Sequence, residues 1–264
     1  DKKSILFLIR RRYVADTSNF SYLVQGIETN IKKTGAEFVV EFIDPGKQDE
    51  MVLPYNLSDG KIFDGVILLG KFDDEYAYRI QQLVPNILIL NGGSDTLECN
   101  YVYFNYARMG YRATEYLLQH GHREIGFVGM ESSHSKEQRL FGMNHALSKA
   151  GLALKPERVL YVREELDNQI NHLIATNNLP TAFVCQTDNV ALKLIKVLHD
   201  FGLAVPKDVS VIGSGNSDTA SITIPALTTF DVNIPYTCEV AVSTILNQIN
   251  GETKPCCTLY VDAF

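Results

Sequence analysis

The sequence has no apolar run near the roughly 18 residues that a membrane-spanning helix needs. It also lacks a basic excess. Its 264 residues carry 24 Lys and Arg against 31 Asp and Glu, a formal net charge of −7. A phosphate backbone is gripped by clustered cations, so this segment is not itself expected to hold nucleic acid. The one basic run, Arg10-Arg11-Arg12, is short and reads as a solvated edge at the end of a first strand. No C-x-x-C pair occurs among the five cysteines, Cys99, Cys185, Cys238, Cys256 and Cys257, and adjacent Cys256 and Cys257 suit no common metal spacing. No metal or cofactor is expected. An odd number of thiols reads as free cysteines in a reducing compartment, which predicts a cytoplasmic protein. Residues 1–9 lack the long apolar core and small-residue cleavage site of a signal peptide.

Catalytic signatures are missing too. There is no P-loop, no G-x-S-x-G elbow and no H-E-x-x-H. Gly213-Ser214-Gly215-Asn216-Ser217-Asp218 follows a strand, but Asp218 stands where the third glycine of a dinucleotide fingerprint belongs. The six histidines are scattered, and spacing assembles no Ser/His/Asp or Cys/His set. The chain is not expected to be an enzyme.

What is present is alternation. Apolar runs of strand type fall at 4–10, 37–43, 65–70, 86–90, 101–104, 125–128, 159–162, 181–185, 209–213 and 259–261. Helical patterns fall at 20–33, 75–84, 111–119, 138–150, 166–177, 190–201 and 236–250. The run Gly65-Val66-Ile67-Leu68-Leu69-Gly70 is apolar throughout, as a strand buried on both faces is. Strands alternating with helices of about three turns predict right-handed βαβ units and parallel sheets. There are too many strands for one compact sheet. The expected fold class is α/β, with two doubly wound parallel-sheet lobes and a ligand cleft between them at the strand carboxyl ends.

Four places follow strands and offer directional hydrogen bonds of the kind that hold a polar small molecule. Asn105 follows 101–104. Arg139 opens a helix after the polar loop 131–138. Gln186, Thr187 and Asp188 follow 181–185, and Gly215 and Asn216 follow 209–213. Phe20, at the start of the first helix, and Phe72, just after the third strand, are placed to stack on the apolar face of a sugar. Asp188 also sits where an N-cap aspartate is common, and Arg139 could instead form an ion pair with Glu131 or Asp188.

The stretch from Gly110 to Gly129, GYRATEYLLQHGHREIGFVG, joins a helix, a glycine stop at Gly121, a basic pair and a strand without slack. It resembles the helix–strand junction of the effector-binding domain of LacI/GalR-type transcriptional regulators. Arg139-Leu140-Phe141-Gly142, Leu179-Pro180-Thr181-Ala182-Phe183, the run GLAVPKDVSVIG from Gly202 to Gly213, and Pro225-Ala226-Leu227-Thr228-Thr229 extend the resemblance over nearly the whole chain. GVILLGKFDDE, from Gly65 to Glu75, looks like the galactose- and β-galactoside-responsive branch.

The resemblance implies the two-lobed type I periplasmic-binding-protein fold and a sugar or nucleobase effector, with Asn105, Arg139 and Asp188 on cleft positions. It implies a homodimer and a regulatory core whose operator DNA is held by an N-terminal headpiece absent from this chain. The expected division is 1–120 with 234–258, and 121–233 with 259–264. The chain departs from the family at Gly215, where an aspartate is usual, and at Thr187, where asparagine is frequent. A secreted sugar-binding protein of an uptake system is the alternative with the same fold.

Overall fold

The computed structural model describes residues 2–11, 19–94, 96–130, 134–163, 165–251 and 255–264. The chain divides into two units, one of residues 1–104 and 233–261, the other of residues 105–232 and 262–264. Among the described residues, no helix is long and apolar enough to cross a membrane.

In the first unit, β1 (Ser4–Arg10), β2 (Glu37–Ile43), β3 (Gly65–Leu69), β4 (Ile87–Leu90), β5 (Asn100–Phe104) and β10 (Thr258–Val261) form one parallel sheet in the order β10-β5-β4-β3-β1-β2. Side chains of a strand alternate between faces. Leu6 and Leu8 of β1, Val66 and Leu68 of β3, and Ile87 and Ile89 of β4 therefore share one core with Tyr76, Ala77 and Ile80 of α4 (Asp74–Leu83). Helix α1 (Phe20–Lys33) buries Leu23, Ile27 and Ile31, the i, i+4, i+8 stripe visible in its sequence. Short α2 (Pro45–Asp49) and α3 (Tyr55–Ser58) fill a stretch whose periodicity had predicted no element. Helix α10 (Ile234–Ile249) packs against α1 and lies over β3, β4 and β5.

The second unit holds β6 (Ile125–Gly129), β7 (Val159–Tyr161), β8 (Ala182–Cys185) and β9 (Ser210–Ile212), parallel and ordered β7-β6-β8-β9. Ala182 and Val184 of β8 face a core with Met143 and Leu147 of α6 (His134–Lys149) and Ala113 and Leu117 of α5 (Tyr106–Gln119). Phe183 and Cys185 face the other way, onto α7 (Leu166–Ala175) and α8 (Asp188–Asp200). The central strand is thus apolar on both faces because both are covered. A short α9 (Asp218–Ile222) follows β9.

The observed division differs from the expected one at two points. Residues 106–119, expected to end the first lobe, pack instead on α6 in the second unit. The closing strand, expected in the second lobe, pairs with β5 in the first, Leu259 opposite Val102. A parallel partner needs only a free edge, and edge pairing leaves no mark in local periodicity.

Candidate functional site

In the second unit the chain leaves β6 toward β7 on one side and reaches β8 on the other. The sheet order therefore switches between β6 and β8, where open parallel sheets bind ligands at the carboxyl ends of their strands. Gln186 lies at that point and is buried. Its Oε1 accepts the Met130 N–H at 2.7 Å and its Nε2 donates to Ser135 Oγ at 2.8 Å. One amide thereby ties together the segments after β6 and β8.

Arg139 sits where two helices nearly touch. A methyl on Gly110 would lie 2.1 Å from the Arg139 carbonyl oxygen, and one on Gly142 would lie 1.9 Å from that of Ala107. Only glycine at both positions lets α5 and α6 cross this closely. The crossing brings the Arg139 guanidinium over the Tyr106 ring, 4.4 Å from its centroid. Its Nη1 donates to the Ser135 carbonyl at 3.2 Å and its Nη2 to Ser214 Oγ at 3.1 Å. Burial pushes the Tyr106 phenol up to about 12, opposed by the Arg139 charge. Arg139 was expected to open its helix. Instead the helix begins a turn earlier, at His134, and Arg139 is 4% exposed. The loop 131–138 that was to precede it includes residues 131–133, which lie outside the described residues, as does the alternative ion-pair partner Glu131.

Asp188 is 0% exposed. It does not cap α8; Thr187 does, its Oγ1 accepting the Val190 N–H at 3.3 Å. The Asp188 carboxylate turns the other way. Oδ2 accepts the Ser217 N–H at 2.7 Å and Oδ1 accepts the Thr229 hydroxyl at 2.5 Å. A methyl at Gly213 would sit 2.4 Å from Oδ1, so that position must be glycine for the carboxylate to fit. Asp188 therefore shapes the loop after β9, where Gly215 donates its N–H to the Phe230 carbonyl at 2.8 Å. Asn216 is exposed in a left-handed conformation (φ 48°), its Nδ2 donating to Asp231 Oδ2 at 3.1 Å.

Asn105 caps α5, its Oδ1 accepting the Arg108 N–H at 3.1 Å, while Nδ2 donates to Asp262 Oδ1 at 2.8 Å. The structure thus gathers Arg139, Thr187, Asp188 and Asn216 around the carboxyl ends of β6, β8 and β9, with Asn105 at the start of α5. The two aromatic positions lie in the first unit. Phe72 does not present its face as expected: it is 2% exposed and stacked on Tyr76 in the core, at 6.4 Å between centroids. Phe20 is half-buried and tilted against Phe42 at 6.0 Å. Sequence reasoning missed Tyr106, Ser135, Ser214, Ser217 and Thr229 as members of this network. Ser214 and Ser217 stood inside the Gly213–Asp218 run, Ser135 in the polar loop 131–138 and Thr229 in the Pro225–Thr229 run, each singled out for its pattern but not for these side chains; only Tyr106 stood in no such stretch.

Two parallel α/β units, one with polar side chains converging at its strand carboxyl ends, have the architecture of the periplasmic-binding-protein fold. Residues 114–262 match the model of the periplasmic binding protein-like domain. The chain belongs to this family, as an effector-binding core of the LacI/GalR type. Over 203 residues it is 29% identical to the HTH-type transcriptional repressor PurR of Pasteurella multocida, covering 74% of this chain and 60% of that protein. It therefore spans less than two thirds of that relative's length. Catabolite control protein A of Priestia megaterium is 25% identical over 248 residues, covering 91% of this chain and 74% of that one.

Two solved structures share the fold. The complex of the transcriptional regulator CelR with cellobiose superposes with a TM-score of 0.85 at 20% identity, covering 100% of this chain and 84% of the other. The lac repressor dimer bound to operator and the anti-inducer ONPF gives 0.82 at 22% identity, covering 100% and 92%.

Proposed function

We propose that this chain is the effector-sensing core of a sugar-responsive transcriptional repressor, and that it acts by binding rather than catalysis. The observation that carries the reading is the set of Arg139, Ser135, Gln186, Thr187, Ser214 and Asn216 at one carboxyl edge of a parallel sheet. Guanidinium, amide and hydroxyl groups match the closely spaced hydroxyls of a sugar. The complex of a transcriptional regulator with cellobiose among the shared folds supports the same class of ligand. Operator DNA would be held by a headpiece outside this acidic core, and the effector would act by preferring one of its conformations.

We further propose a homodimer. In the second unit, Ile222 and Ile224 are exposed beside an apolar cavity of about 290 Å³ lined by Ile195, Leu203, Val211 and Leu227. A protruding side chain next to a hollow suits an isologous contact, in which each copy fills the other.

Titration calorimetry against mono- and disaccharides, galactosides among them, with sugar phosphates and nucleobases, tests the ligand. At least one is expected to bind. Arg139→Lys keeps the charge but loses the planar fork, and should weaken that binding by about 1.5–3 kcal/mol. A folded protein that binds nothing on the panel would overturn the sugar reading. A bound effector that leaves the operator affinity of the full-length repressor unchanged would overturn the regulatory one.

A further inference from the structure

The first unit carries a pair of thiols far in sequence from each other. Cys99 is 3% exposed and packs into the core with Leu97 and Ile89, whereas Cys256 is exposed. β10 runs parallel to β5 with Thr258 opposite Tyr101 and Tyr260 opposite Tyr103. Just ahead of the strands, Tyr101 N–H donates to the Cys257 carbonyl at 2.9 Å, and Cys257 N–H donates to the Asn100 side chain, at Oδ1, at 2.8 Å, which ties the two segments together where the backbone ladder ends. Carried two residues back from the Thr258–Tyr101 pair, just ahead of both strands, the same register would bring Cys256 beside Cys99. Alternation puts both on the face of Tyr101 and Thr258, and Cys257 on the other. Neighbouring strands lie about 4.8 Å apart, inside the window of about 4.4–6.8 Å between Cα atoms in which a disulfide closes. The Cys99 thiol is pushed up to about 11, chiefly by burial, with the charge of Cys256 adding to the shift and a hydrogen bond with Tyr101 opposing it.

We propose that Cys99 and Cys256 form an oxidation-dependent cross-link between β5 and β10, with Cys256 the attacking thiol and Cys99 the resolving one. The oxidant is a peroxide. The Cys256 thiolate attacks one oxygen of hydrogen peroxide, the O–O bond breaks, and the departing hydroxide takes a proton to become water. The product is a sulfenic acid at Cys256. The Cys99 sulfur then gives up its proton and attacks the sulfenic sulfur, and the S–O bond breaks with loss of a second water. Two thiols lose two electrons and the peroxide gains them. β5 runs on into Asn105 and β10 into Asp262, so both are strands by which the chain passes from the first unit to the second. The cross-link would bind the two strands at the ends opposite these exits and secure the edge strand.

The protein is treated with hydrogen peroxide, quenched, and digested after glutamate without reduction. Cleavage after Glu98 and Glu252 frees peptides 99–115 and 253–264, which stay joined only through a disulfide from Cys99 to Cys256 or Cys257. The joined pair is expected in the natural protein and in Cys257→Ser, and is expected to part on adding dithiothreitol. It is expected to be absent from Cys256→Ser, an exposed change that leaves the fold intact. Amide exchange at 257–261 should slow on oxidation in the natural protein and not in Cys256→Ser. A joined pair that survives Cys256→Ser would overturn the assignment. So would oxidation of Cys256 to the sulfinic acid with no joined pair.

Discussion

Replacing Gly142 with alanine tests the geometry on which the candidate site rests. The added methyl would lie 1.9 Å from the Ala107 carbonyl oxygen and 2.7 Å from the Tyr111 nitrogen. A carbon–oxygen contact of this type settles at about 3.3–3.6 Å, so α5 and α6 must part by roughly 1.5 Å at their crossing. Both obstacles are backbone, and no rotamer change relieves them. Overpacking of this kind costs about 1–3 kcal/mol or more. Alanine returns about 1 kcal/mol through helix propensity. The strain should sit at or above the upper end of that range, because Met143, Leu147, Ala113 and Leu117 move with the helices. The expected net loss is about 2 kcal/mol, a fall in melting temperature of roughly 4–8 °C. Thermal and urea melts of Gly142→Ala measure it, with Gly46→Ala as control, since a methyl there meets nothing within 4 Å. Effector affinity should fall as well, because Arg139 and Tyr106 ride on the separated helices. A Gly142→Ala protein as stable as the parent would refute the close crossing and the positioning of Arg139 derived from it.

Asp188→Ala removes two hydrogen bonds to a buried carboxylate and leaves the Ser217 N–H without its acceptor; the expected loss is about 3 kcal/mol or more, read by urea melts, and an unchanged midpoint would show that other groups hold the loop after β9. His122 has its pKa lowered by burial first and by His120 second, while its Nδ1 lies 2.8 Å from Thr181 Oγ1. The unfolded chain therefore takes up its proton first as pH falls through the ordinary value of 6.5, so stability should drop below that pH and level off once the folded form is also protonated. His122→Gln should flatten this part of a melting-temperature profile, and an unaltered profile would assign the drop to other groups. Ile224 is 99% exposed, so Ile224→Asp should leave the melting temperature of the monomer unchanged while shifting sedimentation toward monomer; an unshifted dimer would place the interface elsewhere.

The elements themselves were readable without coordinates because their signals are local. The all-apolar run at 65–69, the stripe of Leu23, Ile27 and Ile31, and the stop at Gly121, which adopts φ 88°, each depend on a few neighbouring residues. Class, parallel sheets and two units followed from their alternation, and the family from motifs spread along the chain. The short helices α2, α3 and α9 escaped because one turn of helix carries too little period to detect.

The places of Arg139, Asp188 and Phe72 were decided only in three dimensions. Sequence position put each beyond a strand, where a ligand was expected, and Phe72 instead packs into the core. Whether a side chain faces outward or is enclosed depends on partners tens of residues away. Gly110 admits the backbone of Arg139, the hydroxyl of Thr229 claims the carboxylate of Asp188, and the core that holds Leu6 and Leu8 encloses Phe72. The membership of α5 and β10 was decided the same way. A helix joins the layer that offers the closer fit, and an edge strand joins whichever sheet leaves its backbone groups unpaired. From its own residues the chain determined which elements form and which chemistry gathers after its strands. Packing over long sequence distances determined which of those groups are enclosed and which face outward.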